Sequence, residues 1–156
     1  MTLKLDKIDW KILKAIKHDA RLPASVISRK TGLSRDVVTY RIEQLTKKGV
    51  IKGFYTVLNL PSIGLDVWGY LHIRFKDLTT KRETELIEYT EEHPNILFAY
   101  SNLGSWDFGV EFCADNPKHF YELQKELKEK FSDIIKDSET GSFLEIHKMD
   151  YAPTRA

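Results

Sequence analysis

The hydrophobic positions change period part-way along the chain: up to about residue 54 they recur at helical spacing, and from about residue 66 they alternate. Ile8, Ile12, Ala15 and Ile16, with Leu13 beside them, form the apolar face of a first helix. Asp6 is its expected N-cap, and Asp9, three residues on, is a weaker version of the capping-box acid. A second, short helix opens at Leu22-Pro23, because proline at the first helical position gives up no hydrogen bond and already has a suitable φ. Val26 and Ile27 are its apolar side. Gly32 follows Thr31 where the chain must turn, and glycine takes the left-handed conformation that ends a helix. Leu33 plugs the turn, Ser34 caps a third helix, and Val38, Ile42 and Leu45 fall on it at i, i+4 and i+7 as one buried stripe. Gly49-Val50-Ile51-Lys52-Gly53-Phe54 is expected as a tight turn into a short strand, a wing.

Asn59 to Gly64 carries the breakers of a hinge. Beyond it Val67, Gly69, Leu71, Ile73 and Phe75 alternate with Trp68, Tyr70, His72 and Arg74, as in a strand with two distinct faces. A helix follows from Arg82 to Glu92 with Leu86, Ile87 and Tyr89 inward. Two strands, Ile96 to Leu103 and Trp106 to Ala114, meet at Gly104-Ser105. Asn116-Pro117 starts a helix whose stripe is Phe120, Leu123, Leu127 and Phe131, and Ser142 to Met149 is expected as the last strand, with Leu144 and Ile146 on one side.

The expected fold class is α+β: an N-terminal winged helix-turn-helix and a C-terminal ferredoxin-like βαββαβ domain, one antiparallel sheet with two helices on one face. The boundaries read from the pattern are 1–54, a hinge over 55–65, and 66–156. Trp68 and Tyr70 alternate outward, too apolar for open water. A second copy packed against the sheet covers them, so a homodimer is expected.

Charge divides along the same line. Residues 1–60 hold 13 Lys and Arg against 5 Asp and Glu, whereas the rest of the chain holds 11 against 18, so the whole-chain value of +1 conceals two halves of opposite sign. A basic helix-turn-helix suits a phosphate backbone, with an affinity that falls steeply as salt rises. Double-stranded DNA is therefore the expected partner. Ser34, Arg35, Thr39, Tyr40, Arg41, Lys47 and Lys48 are the candidate DNA-binding residues. Arg35, at the start of the third helix, suits bidentate pairing to a guanine edge, and Thr39 and Tyr40 lie one turn on. Ser34 caps the helix and sits beside phosphate, while Lys47 and Lys48 suit sequence-blind phosphate contacts. Arg41 has two readings: a phosphate contact, or a clamp to Asp6 or Asp9 of the first helix.

No run approaches the roughly 20 apolar residues of a membrane helix, and Lys4, Asp6, Lys7, Asp9 and Lys11 interrupt any N-terminal signal core. A cytoplasmic protein is the simplest expectation. The single cysteine, Cys113, excludes an internal disulfide, and His18, His72, His93, His119 and His147 lack ligand spacing, so neither metal nor cofactor is expected. No catalytic residue is assigned.

Four marks in order resemble the Lrp/AsnC (feast/famine) family of transcription regulators across about Leu5 to Lys148. They are Leu5-Asp6-x-x-Asp9-x-x-Ile12-Leu13, then Leu33-Ser34-x-x-x-Val38-x-x-Arg41-Ile42-x-x-Leu45, then Gly49 to Phe54, and last Gly104-x-x-Asp107. The resemblance implies dimers that assemble into larger species. It also implies a small effector, often an amino acid, bound at interfaces between C-terminal domains near the Gly-x-x-Asp loop. Gly104, Ser105, Trp106 and Asp107 are the corresponding effector residues here. Gly104 fits a position needing positive φ or close ligand approach. Asp107 either accepts hydrogen bonds from an α-ammonium or caps the loop, and Trp106 shapes or fills the pocket. Two other readings stay open at this point. One is an architectural DNA binder without a single target site. The other is an enzyme on the same architecture, as in tetrapyrrole decarboxylation, although no acid–base cluster stands out.

Overall fold

A computed structural model describes residues 4–150, which divide into two compact units. Residues 4–57 with 147–150 form the first, and residues 58–146 the second. The expected hinge over 55–65 is thus shared out, with a 3₁₀ turn at Leu60–Ile63 near the start of the second unit. The chain also comes back to the first unit after its last strand, where Lys17 Nζ pairs with Asp150 Oδ2 at 2.7 Å. Residues 1–3 and 151–156, included in the expected boundaries, lie outside the described residues.

The first unit is built on three helices. Asp6 Oδ1 accepts from the amides of Ile8 and Asp9, both at 2.8 Å, and Asp9 Oδ2 accepts from the Asp6 amide at 3.1 Å. This reciprocal box starts α1 (Lys7–Ile16) with an aspartate where glutamate is usual. In α2 (Ala24–Thr31) Pro23 is the N-cap rather than the first helical residue, so the helix starts one residue later than expected, and Gly32 closes it at φ 71. Ser34 Oγ accepts from the Val37 amide at 3.3 Å and opens α3 (Arg35–Lys47). Ile16, Ile27, Val38, Leu45 and Ile51 form the core, with Leu13, Leu22, Leu33 and Ile42 against it. The turn after α3 is tight: Gly49 adopts φ 70, and the Val50 and Ile51 amides both donate to the Leu45 carbonyl. The strand expected to follow does not form. From Lys52 to Asn59 no neighbouring strand supplies a ladder among the described residues, so extended backbone there lacks the partner that defines a strand.

The second unit runs β1 (Val67–Phe75), α4 (Thr80–Glu92), β2 (Ile96–Ser101), β3 (Phe108–Ala114), α5 (Pro117–Lys130) and β4 (Ile135–Ser142). The sheet order is β2-β3-β1-β4 with every pairing antiparallel, which is the ferredoxin-like arrangement. One face carries Leu71, Ile73, Val110 and Phe112 against Leu86 of α4 and Leu123 and Leu127 of α5. Two expectations need correction. Ile87 is exposed rather than inward. The last strand is β4 at Ile135–Ser142, and the Ser142 to Met149 segment follows it, with Leu144 fully exposed. Ser138 and Thr140 pair with Ile73 and Leu71 in register, and Thr140 Oγ1 donates to Gln124 Oε1 at 2.9 Å. This edge strand is held by main-chain bonds and a partly buried polar contact, and it carries no hydrophobic alternation.

The other face of the sheet is a layer of rings. Trp68, Tyr70 and His72 of β1, Phe98 and Tyr100 of β2, and Phe143 just past β4 all lie half-buried on it. Glycines let the rings lie flat: a Cβ at Gly109 would stand 2.4 Å from the Tyr100 ring, and one at Gly141 2.5 Å from the Tyr70 ring. Glu111 sits among them and accepts from Trp68 Nε1 at 3.0 Å, while Tyr100 Oη and His72 Nε2 approach to 3.4 Å. Burial pushes the Glu111 carboxyl above its ordinary range, against the Trp68 hydrogen bond and the His72 charge, which draw it down.

Candidate nucleic-acid interface

The candidate DNA-binding residues divide by their place around α3. Val38 and Leu45 face the core, whereas Arg35, Thr39 and Tyr40 are exposed, Tyr40 at 59%. At 3.6 residues per turn, Thr39 lies about 160° and Arg35 about 120° around the helix from Arg41. Arg41 points the other way. Its Nη1 reaches Asp6 Oδ2 at 2.8 Å and Asp9 Oδ1 at 3.1 Å. Of the two roles open for Arg41 in the sequence, the structure shows the clamp. Asp6, held below its ordinary value by the Asp9 amide and, against desolvation, by Arg41, caps α1 and anchors α3 at once. The clamp fixes the angle at which α3 presents Arg35, Thr39 and Tyr40. Lys47 and Lys48 are exposed at the C-terminal end of α3, and Ser34 is exposed at its start.

The effector candidates lie on the β2–β3 connection and are tied to β1. Gly104 adopts φ 151 with open space where a Cβ would be, so conformation rather than crowding calls for glycine. The Ser105 carbonyl accepts from Arg74 Nε at 3.1 Å and from Nη2 at 2.8 Å. The Arg74 guanidinium lies 5.1 Å from the centre of the half-buried Trp106 ring, which in turn stacks on His72 at 6.3 Å. Asp107 Oδ2 accepts from the Phe75 amide at 2.8 Å, and the Asp107 amide donates to the Ile73 carbonyl at 2.9 Å. One carboxylate oxygen of Asp107 is therefore a loop brace. Arg74 and His72 were not among the expected site residues. Alternation along β1 placed them outward beside Trp68 and Tyr70, but only the loop's register brings Trp106 over them. A cleft of about 270 Å³ opens elsewhere, between Leu58–Pro61, Trp68 and Phe143–Ile146, and none of the expected site residues lines it.

Three helices, a glycine turn and an exposed, basic-flanked third helix define a helix-turn-helix DNA-binding protein. The family model described as winged helix-turn-helix DNA-binding matches residues 5–52. The chain is 30% identical to the glutamate uptake regulatory protein of Zymomonas mobilis over 86% of its length and 83% of the relative's. It is 29% identical to the transcriptional regulator FL11 of Pyrococcus furiosus, over 92% of each chain. A transcriptional regulator of Neisseria meningitidis, solved as its L-Met complex, shares the fold at a TM-score of 0.86 and 18% identity, with 96% of each chain covered. The chain belongs to the Lrp/AsnC family of transcription regulators.

Proposed function

We propose that this regulator reads DNA with the side of α3 turned away from the Arg41 clamp. Arg35, Thr39 and Tyr40 face base edges in a major groove, and Ser34, Lys47 and Lys48 take flanking phosphates. The observation that carries the reading is the division of α3 into a buried stripe, a clamped side and an exposed side bearing those three residues. It acts as a homodimer through the ring-covered sheet face. That layer is too apolar for water yet flattened by Gly109 and Gly141, and a self-complementary patch on a two-fold axis covers it with one further copy. The operator is then pseudo-palindromic, with half-sites separated by whole helical turns. The role is regulatory and not enzymatic, as the names of the relatives support, and it is exercised in the cytoplasm, beside the chromosome.

An amino acid or other small effector binds near Gly104, Ser105, Trp106 and Asp107, and it shifts assembly or DNA affinity. The L-Met complex of the Neisseria relative supports that class of ligand. The test is DNA affinity by anisotropy, with each of the common L-amino acids added in turn at a saturating concentration. A shift for one or a few, abolished by substitution of Trp106, is the expected result. No shift for any of them sinks the effector reading and leaves the DNA reading standing.

A further inference from the structure

The two units treat the solvated faces of their helices differently. In the second, three exposed helix lysines have a glutamate one turn on: Lys81–Glu85, Lys118–Glu122 and Lys125–Glu129 are i,i+4 pairs at 3.8, 3.7 and 3.6 Å. Helix α1 of the first unit does the reverse. Lys7, Lys11 and Lys14 are exposed along one stripe, extended by the exposed Lys4 just ahead of the helix, and none has an ion-pair partner among the described residues. Each faces another lysine at i+3 or i+4. Such like-charge spacing destabilises a helix, in a protein that elsewhere places a glutamate there.

The stripe is also separate from the base-reading side of α3. Ile12 and Ile16 turn the opposite side of α1 into the core, and α1 meets α3 through Asp6 and Asp9 at Arg41. Thr39 lies about 160° around α3 from that contact. A straight duplex seated on Arg35 and Thr39 is therefore on the side of α3 turned away from α1. We propose that the α1 stripe of Lys7, Lys11 and Lys14 is a second, sequence-blind DNA surface, which takes the phosphate backbone of a different stretch of DNA from the one α3 reads. The inference rests on the α3 reading for its first duplex, and three unpaired ammonium groups in a row match a phosphate backbone for its second.

The test compares full-length wild type with K7Q/K11Q/K14Q and K7R/K11R/K14R. Glutamine and arginine both keep helix propensity, and loss of the lysine repulsion is expected to leave the thermal midpoint of the glutamine variant equal to or above that of wild type. Two random-sequence duplexes serve as probes. One is about 30 base pairs, room for two half-sites a helical turn apart; the other is about 300 base pairs, two persistence lengths, so that it can return to the protein. On the long duplex the glutamine variant should lose about 2.7 per chain from the slope of log Kobs against log salt, three phosphates at about 0.9 each. The arginine variant should keep the wild-type slope, and the short duplex should show no difference. An unchanged slope on both lengths overturns the proposal, and so does an equal loss on both, which would put the stripe on the duplex α3 reads. A wild type that binds neither duplex sinks the α3 reading as well.

Discussion

Alanine at Gly109 and at Gly69 adds one methyl group to opposite faces of the same sheet. At Gly109 the three atoms nearest the new carbon all belong to the Tyr100 side chain, at 2.4, 2.5 and 2.8 Å. Non-bonded carbons rest at about 3.5–4.0 Å, so the ring must withdraw by about 1.1 Å. It lies at the outer surface and can do so, and the cost to the fold falls at the low end of the about 1–3 kcal/mol typical of overpacking. In a dimer built on that face the displaced ring recurs on both copies. The penalty to association then reaches about 2–6 kcal/mol, at least tenfold in dissociation constant at about 1.4 kcal/mol per decade. At Gly69 the methyl would meet the Gly141 carbonyl oxygen at 2.4 Å, Phe120 Cζ at 2.5 Å and Ser142 Cα at 2.9 Å. Two of those are β4 main chain and the third belongs to a buried ring, so the fold itself should fail or lose about 3 kcal/mol. Sedimentation across a dilution series reads association. Thermal melts, at concentrations where wild type and variant share an assembly state, read the fold. Gly109→Ala should melt within several degrees of wild type but dissociate at least tenfold more readily, and Gly69→Ala should lose both. A Gly109→Ala protein that associates like wild type would show that the ring layer is not the interface.

Three further outcomes follow from the same geometry. Arg35→Ala should cost about 1–3 kcal/mol on a selected site and relax preference at one base position, with little change on random DNA in a competition titration. Arg41→Met should lower stability at neutral pH. The Asp6 carboxyl is held below 3.8, so its contribution is present above that value and lost as pH falls through the lowered one; urea melts of wild type and variant should converge in acid, and a constant gap down to pH 2 would contradict the clamp. Glu111→Gln keeps an acceptor for Trp68 Nε1 but removes the charge. Because burial raises the Glu111 carboxyl above 4.5, wild type loses stability as pH rises through the raised value. The variant should therefore be equal to it in acid and more stable near neutrality, and the opposite order would refute a buried Glu111 charge.

What could be read from the sequence follows the strength of each periodic signal. Val38, Ile42 and Leu45 on α3, and Phe120, Leu123 and Leu127 on α5, are one-sided stripes that open at the Ser34 and Asn116 caps, and the Asp6 and Gly32 signals likewise mark the start of α1 and the end of α2. β4 is not legible from periodicity because Ser138 and Thr140 occupy its inward positions, while the alternation of Leu144 and Ile146 lies beyond it. The expected wing strand does not form, for the complementary reason: the turn residues are right, but a strand needs a partner, and local sequence does not name one. Arg41 shows where one-dimensional reading stops. Its neighbours along the helix suit DNA, and only the packing of α1 across α3 brings Asp6 and Asp9 within reach. The link from Arg74 and His72 to Trp106 likewise depends on strand register, which no spacing along the chain discloses.

The central claim is that α3 reads sequence through the side bearing Arg35 and Thr39. Its most direct test is selection of bound fragments from a genomic library at one near-physiological salt concentration, with wild type and Arg35→Ala in parallel. The account predicts a short pseudo-palindromic motif for wild type, degraded at one position in each half-site by the substitution. Fragments enriched by base composition alone, the same for both proteins, would contradict it.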